Sequence, residues 1–313
     1  MSYNVLGINP GHNGSACLIV DGELEYYVEE ERLARYKRDG NPFKAMIDIM
    51  LRFHVDELVM CGTGDPRETN VSVWNEENMY YTLVRKFFPK VKFTILNNEH
   101  HLCHAFSAFY NSGFDKAAVL VIDGAGSFQK EFMDENTPIE GHEAESIWTM
   151  QYPSKSKLYF KSYGRNYPPR ARIGEHDFDD SVTITKAYEA VTMHLGWEGI
   201  EAGKTMGLAP YGKENPNIPP LFKNGRGNRD IFIPFYPAGA GIDFKNNPIL
   251  TREGEPDSFH KNQNELSEIE ADLAWHVQND TQEEVAKLIE KAIDLTELDK
   301  ICIVGGYGLN CVT

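Results

Sequence analysis

Two histidines four residues apart stand in the segment Glu99-His100-His101-Leu102-Cys103-His104-Ala105. On a helix that spacing puts His100 and His104 on one face, where both imidazoles can reach the same ion. Imidazole suits zinc, iron or manganese, and a carboxylate completes such a set. Asp123 ends an apolar run and opens a glycine-rich loop, which makes it the expected third ligand. His101 and Cys103 face elsewhere. The alternative for this motif is a pair of partly buried histidines satisfied by backbone carbonyls.

A second kind of chemistry is suggested by glycine-rich turns, whose backbone N–H groups converge on an anion where no Cβ blocks the approach. Gly7-Ile8-Asn9-Pro10-Gly11-His12-Asn13-Gly14 is one, Asp123-Gly124-Ala125-Gly126-Ser127 another, and Gly305-Gly306 a third. The first, taken alone, reads better as a hairpin turn, and each is a weak signal by itself; three at strand ends suit a nucleotide cleft between two lobes. Lys204, in the glycine-punctuated run Glu201 to Gly212, is available for a phosphate or carboxylate, although the spacing is not that of a P-loop. The run also reads as a plain helix-to-loop exit. Residues 29–38 place Arg32, Arg35, Lys37 and Arg38 within seven positions, either as a solvated face or facing an acidic substrate. His12 is a candidate base by context alone, and no Ser/His/Asp triad is inferable.

The elements that must carry these residues follow from periodicity. Val5–Ile8, Ala16–Val20 and Leu24–Val28 read as three strands, with Asp21-Gly22 signalling a type I′ hairpin. Helical and strand patterns then alternate: helices at Pro42–Phe53, Glu76–Phe88 and His101–Tyr110, strands at Glu57–Cys61 and Val91–Leu96. The pattern restarts with a buried-type strand, Ala117–Ile122, strands at Ser146–Gln151 and Lys157–Ser162, and a helix at Thr183–Leu195. Meander then helix, twice, predicts an internal duplication of topology. Residues 210–256 hold eight of the 16 prolines, which excludes long helices and predicts an irregular insertion or lid. A helix resumes over Leu266–Ala292, with Thr281 where an apolar residue is expected. A buried strand, Ile301–Val304, and the Gly305-Gly306 turn follow, an odd place to stop, so the chain reads as truncated.

Composition narrows the class. The 313 residues predict two domains or one large one, and 41% hydrophobic with 25% charged residues is a globular balance. With 31 basic and 47 acidic groups the net charge is −16, which argues against gripping nucleic acid through the overall field. No apolar run is long enough for a bilayer, and the amino terminus lacks the regions of a secretory signal. Five cysteines without a CxxC pair suit a reduced, cytoplasmic setting.

At these residues the sequence resembles the amino-terminal domain of the nodulation-type and antibiotic-type O-carbamoyltransferases. The matching stretches are residues 7–38, EHHLCHAFSAFY (99–110), VLVIDGAGS (119–127), ITKAYEAVTMHLGW (184–197), EAGKTMGLAPYG (201–212) and VGGYGLNC (304–311), nearly end to end and in order. The resemblance implies an α/β fold of duplicated ribonuclease-H-like lobes of the actin/hexokinase/heat-shock-chaperone superfamily, related to tRNA threonylcarbamoyltransferases. The lobes would be residues 1–112 and 113–313, the second incomplete and carrying the Pro-rich insertion at about 210–262. The implied reaction makes carbamoyladenylate from carbamoyl phosphate and ATP, then transfers the carbamoyl group to a hydroxyl of a small molecule, without direct nucleic-acid or membrane contact. His100, His104 and Asp123 match a metal site, Fe(II) or another divalent ion such as zinc or manganese; His12 matches the base and Lys37 a lysine near the substrate. Gly305, Gly306 and Asn310 match a turn approaching the nucleotide, with Gly11, Asn13, Gly14, Gly124, Gly126, Ser127 and Lys204 as further phosphate or nucleotide contacts. The family's later metal-binding aspartate and its YrdC-like adenylating domain have no counterpart in these 313 residues, so this stretch alone is expected to be inactive. A sugar-kinase-like phosphotransferase of the same superfamily and a non-catalytic binding subunit are the alternative readings.

Overall fold

Alternating buried and half-exposed residues make β1 (Asn4–Asn9) and β2 (Ser15–Val20) one-faced strands, and β3 (Glu23–Glu29) completes an antiparallel meander. The computed structural model describes residues 2–61, 78–96, 98–243, 250 and 267–313. The fold is α/β, and the chain forms two compact units, Met1–Cys103 and His104–Thr313.

In the first unit Asp21 and Gly22 both take positive φ, +50° and +94°, as the twist-matched hairpin turn requires. After α1 (Glu30–Ala34) and α2 (Phe43–Met50), β4 (Glu57–Cys61) returns parallel to β1. Past α3 (Met79–Phe87), β5 (Lys92–Leu96) pairs parallel to β4, giving the order β3-β2-β1-β4-β5. The Asn78 side chain caps α3 by accepting from Tyr81 N–H at 2.8 Å. Positions 76 and 77 of the expected helix lie outside the described residues. Leu6, Ile8, Leu18, Leu58 and Met60 of the sheet pack with Ala45, Met46, Ile49 and Val84 of the helices in a fully sealed core.

The division between the units falls in the first turn of α4 (His100–Ser112), a continuous helix. In the second unit β6 (Lys116–Ile122) is buried from Ala117 onward. It is followed by β7 (Phe128–Asp134), the 15-residue β8 (Thr137–Gln151) and β9 (Lys155–Gly164), then β10 (Ala171–Ile173) and β11 (His176–Asp179). The expected strand at 146–151 is only the second half of β8. Its first half does not show in the sequence because Glu140, Glu143 and Glu145 break the apolar run, yet Glu143 and Glu145 are buried; β7 is masked likewise by Gln129, Lys130, Glu131 and Asp134. Helices α5 (Ile184–His194) and α6 (Ala202–Leu208) precede the Pro-rich segment. That segment is less irregular than expected: β12 (Phe222–Lys223) pairs with β13 (Arg226–Gly227), and β14 (Phe232–Phe235) with β15 (Gly239–Ile242). Residues 244–249 and 251–262 of it lie outside the described residues.

Helix α7 (Glu268–Thr296) opens with Glu270 accepting from the Ser267 N–H at 2.8 Å, and it packs Leu273, Val277 and Val285 against Ala187 and Val191 of α5. Thr281, the polar break in its apolar stripe, is fully buried and accepts the Tyr307 hydroxyl at 2.7 Å. β16 (Ile301–Val304) then pairs parallel to β6, so the sheet runs β10-β11-β9-β8-β6-β16, with β7 on the far half of β8. β16 is not the buried strand expected: among the described residues it pairs on one side only, and Ile303 is 41% exposed.

Two devices hold the loop after β6. Glu143, buried, accepts the Ser127 N–H at 3.0 Å with one oxygen and the Lys161 ammonium with the other. The Gly305 turn sits against the end of β6, where φ of +99° and the absence of a side chain are both required, because a Cβ would fall on the Ile122 carbonyl. Gly22 shares the positive φ, but nothing lies within 4 Å of its missing Cβ. Gly22→Ala is therefore expected to cost about 1 kcal/mol, and Gly305→Ala to lose a further ~1–3 kcal/mol through overpacking, both read from urea unfolding. Lys161→Met should cost about 3–5 kcal/mol by leaving Glu143 as an unpaired buried charge, and the Lys161→Met/Glu143→Leu double variant should recover most of it.

Candidate metal and anion site

His100 opens α4 and His104 lies one turn on, so the helix aligns both imidazoles as their spacing predicts. One nitrogen of each and one oxygen of Asp123 lie within 4.8 Å of one another, all three residues half-buried. His104 Nε2 is 3.9 Å from Asp123 Oδ2. The other carboxylate oxygen, Oδ1, accepts the Gly306 N–H at 3.0 Å, while the Asp123 N–H donates to the Ala144 carbonyl at 2.8 Å. The backbone therefore fixes Asp123 and leaves Oδ2 turned toward His104. Two imidazole nitrogens and one carboxylate oxygen are a donor set suited to Fe(II), zinc or manganese, and an amide fixing the ligating carboxylate is what outer-shell support consists of.

The glycine loop after β6 is built around that aspartate. Gly126 N–H donates to the Glu143 carbonyl at 2.8 Å, Glu143 N–H to the Ser127 carbonyl at 3.0 Å, and the buried His142 ring meets the Gly126 carbonyl at 3.1 Å. A Cβ on Gly124 would meet the Thr185 methyl at 3.6 Å and Lys186 Nζ at 3.8 Å. Lys186 is buried, with its ammonium on the Glu189 carboxylate at 2.8 Å and the Pro237 carbonyl at 2.9 Å. The structure thus joins Asp123, Gly124, Gly126, Ser127, Gly305 and Gly306 in one neighbourhood and adds His142, Glu143, Lys161 and Lys186, which no motif in the sequence singles out. Glu143 and Glu145 are both buried, but a bulge between them sets Glu143 opposite Tyr163 and Glu145 opposite Ser162, so period-two spacing in the sequence does not reveal their faces.

The remaining residues fall elsewhere. Gly11, His12 and Asn13 are exposed on the β1–β2 loop, with His12 Nδ1 3.2 Å from Asn13 Oδ1. Two bonds, Gly11 N–H to Gly40 O at 2.9 Å and Gly14 N–H to Asp39 O at 2.8 Å, tie that loop to the segment just past Lys37, itself exposed on a turn. Lys204 is exposed on α6 and pairs with Glu201 at 2.8 Å, within its own helix region. Asn310 turns both ends of its amide to Gln278, at 3.0 and 3.3 Å, bracing the Gly305 turn on α7. At the end of β4, the Cys103 thiol donates a hydrogen bond to Cys61 and pulls the Cys61 thiol down to about 7. Among the described residues no helix is long and apolar enough to cross a membrane.

Comparison with known proteins bears on the family of the chain. An uncharacterised Synechocystis protein, sll1178, is 26% identical over 99% of this chain and 51% of its own length. The nodulation protein NolNO of Sinorhizobium fredii is 24% identical over 96% of this chain and 41% of its own. MJ1051 of Methanocaldococcus jannaschii is 30% identical over 68% and 34%. The chain thus spans about half or less of the length of these relatives. Among solved structures, full-length HypF in its phosphate- and nucleotide-bound form is similar over 98% of this chain and 50% of that one, with 9% identity and a TM-score of 0.41. The family model for the carbamoyltransferase amino terminus matches residues 67–313, well over half of the chain, and the chain therefore belongs to the carbamoyltransferase family.

Proposed function

We propose that this chain is the transfer part of an ATP-dependent O-carbamoyltransferase, which passes a carbamoyl group from carbamoyl phosphate, through carbamoyladenylate, to a hydroxyl of a small molecule. The observation that carries the reading is the His100, His104 and Asp123 cluster, with Asp123 braced by Gly306, in a member of this family. The topology supports the architecture that goes with it: β9-β8-β6-β16 has the same two antiparallel pairings and one parallel crossover pairing as β3-β2-β1-β4. We read these sheets as two ribonuclease-H-like lobes, residues 1–112 and 113–313.

His100, His104 and Asp123 would hold the divalent ion, which when bound supplies a Lewis acid for the carbonyl or phosphate oxygen. Gly306 keeps Asp123 aimed, and the Asp123–Ser127 loop offers backbone N–H groups to the adenylate phosphate where Gly124 and Gly126 allow close approach. Lys186, beside Gly124, adds a cation that is better placed for an anion on this loop than Lys204. His12 stands exposed on its glycine loop, in reach of solvent-borne ligands, and serves as base for the acceptor hydroxyl, with Lys37 near the same loop.

Metal analysis tests the site. After reconstitution with Fe(II) or zinc, His100→Ala and His104→Ala are expected to lose the bound equivalent, and wild-type metal content in both variants would sink the assignment. Gly306 has φ −56°, which proline adopts, so Gly306→Pro replaces the N–H to Asp123 with a ring carbon that pushes Oδ1 away, whereas the Gly306→Ala control keeps that N–H. A metal affinity about 10–100-fold weaker for Gly306→Pro than for Gly306→Ala is the expected outcome. For the reaction, the whole protein should release pyrophosphate from ATP only when carbamoyl phosphate is present and should label a hydroxyl compound from labelled carbamoyl phosphate. Phosphate transfer from ATP to the acceptor without carbamoyl phosphate would overturn the proposal.

A further inference from the structure

Lys116 opens β6 at the end of the strand away from Asp123, about 23 Å distant for seven residues of extended chain. Across the sheet Lys116 stands opposite Gln151 of β8, which stands opposite Lys155 of β9; the next row runs Ala118, Thr149, Lys157. Residues opposite one another in antiparallel strands share a face. Further along that face Leu120 and Ile147 are buried in the core with residues of α5 and α7. Beyond this core the face turns cationic and forms a cleft of about 500 Å³, completed by Ser154 and Ser156 of the β8–β9 hairpin. No carboxylate lines it, in a chain with 47 acidic and 31 basic residues. Elsewhere Lys161, Lys186, Lys204, Lys223 and Lys287 each pair with a carboxylate. Among the described residues Lys116, Lys155 and Lys157 pair with none, and Lys157 holds its ammonium over the Tyr159 ring at 4.2 Å.

We propose that this cleft binds a chain of two or three phosphate groups, free or as the tail of a nucleotide, at a site separate from the metal cluster. Thr149 and Gln151 of the middle strand form its floor, with Lys116 on one side and Lys155 and Lys157 on the other. The two flanks are two strand spacings apart, about 10 Å. Three cations spread over that width match several phosphates in a row better than one. An ammonium meets phosphate as a point charge with three donors, and the hydroxyls and the Gln151 amide add uncharged donors. The lining holds no Arg, Trp or Tyr, the residues on which protein partners anchor, and no ring on which a base could stack. The phosphates are therefore the recognised part. The inference stands on the cleft and its charges and is independent of the transfer reaction proposed above.

Lysine acetylation of the metal-free 313-residue chain, mapped residue by residue by mass spectrometry, tests it with sodium triphosphate as the probe. At low ionic strength triphosphate should slow acetylation of Lys116, Lys155 and Lys157 together and leave the exposed Lys86 and Lys90 unchanged. ATP should protect the same three lysines as well as triphosphate does. In the Lys155→Gln/Lys157→Gln variant, half-protection of Lys116 should need about 10–100-fold more triphosphate, since charge-assisted hydrogen bonds are lost. The three positions are exposed, so the unfolding midpoint should not move, and unchanged metal content keeps the result separate from the assignment of His100, His104 and Asp123. If the three lysines are protected no more than Lys86 and Lys90, or if Lys116 is protected equally in the double variant, the proposal is wrong. Equal protection by an oligoglutamate peptide would identify a protein-docking cleft, and protection by ATP but not by triphosphate a nucleoside site; either overturns it.

Discussion

The amide of Gly306 donates to Asp123 Oδ1 at 3.0 Å, a bond that depends on the residue before it having no side chain. Gly305 turns with φ +99° directly against Ile122, where any other residue would collide with the strand's last carbonyl. The chain between these partners is long, since α5, α6, the hairpins and α7 all intervene between Asp123 and Gly306. Closing such a loop costs entropy that must be offset by packing, and the packing is visible. Tyr307 is buried with its hydroxyl on Thr281, Asn310 is doubly bonded to Gln278, and Gln278 in turn accepts the Tyr188 hydroxyl at 2.8 Å. The two-glycine turn is thereby anchored to α7 and α5, and the orientation of one carboxylate becomes a property of the whole unit.

Behind the same loop lies a layer of buried charge. Glu143 is neutralised by Lys161, and Glu145 takes the Ser162 hydroxyl, the Ile184 N–H at 3.3 Å and, at 3.6 Å, the Arg226 guanidinium. Arg226 also approaches Asp177 at 3.3 Å and Asp179 at 3.7 Å, which hold its guanidinium charge on despite burial. An apolar layer of the same volume would commonly be at least as stable. What charges add is direction: each carboxylate has distinct oxygens with distinct partners, so β8, β9 and the loop after β6 cannot slide past one another without breaking a pair. Stability and placement of the candidate site are here served by the same residues.

The residues most legible in the sequence were those whose job is local. The spacing of His100 and His104, the Asp21-Gly22 turn, and the strand at Glu57–Cys61 all follow from neighbours within a few positions, and each appears where periodicity or turn chemistry places it. The family resemblance agrees with the mixed α/β fold and with the family to which the chain belongs. What stayed hidden was set by tertiary contact. β7 and the first half of β8 look polar, and the buried carboxylates of β8, Glu143 and Glu145, are accommodated by Lys161 and Ser162 of β9, further along the chain. Thr281 looks like a flaw in a helix until Tyr307 is seen to need an acceptor there. Lys186 gives no sign in the sequence that it is buried beside Gly124, whereas Lys204, in a more suggestive setting, is an exposed partner of Glu201.

β16 has one further consequence, for how the chain behaves among copies of itself. Among the described residues it pairs on one side only, with β6, and its other side presents a row of backbone donors and acceptors next to a half-exposed Ile303. Such an edge is a template for another strand. The net charge of −16 works against that, because two copies approaching edge to edge bring two strongly anionic surfaces together. This protection is electrostatic and therefore conditional on ionic strength: at about 1 M salt, screening acts over roughly 3 Å. Concentrated, high-salt solutions, often chosen to keep proteins apart, would be those in which this chain is least protected from strand-to-strand association.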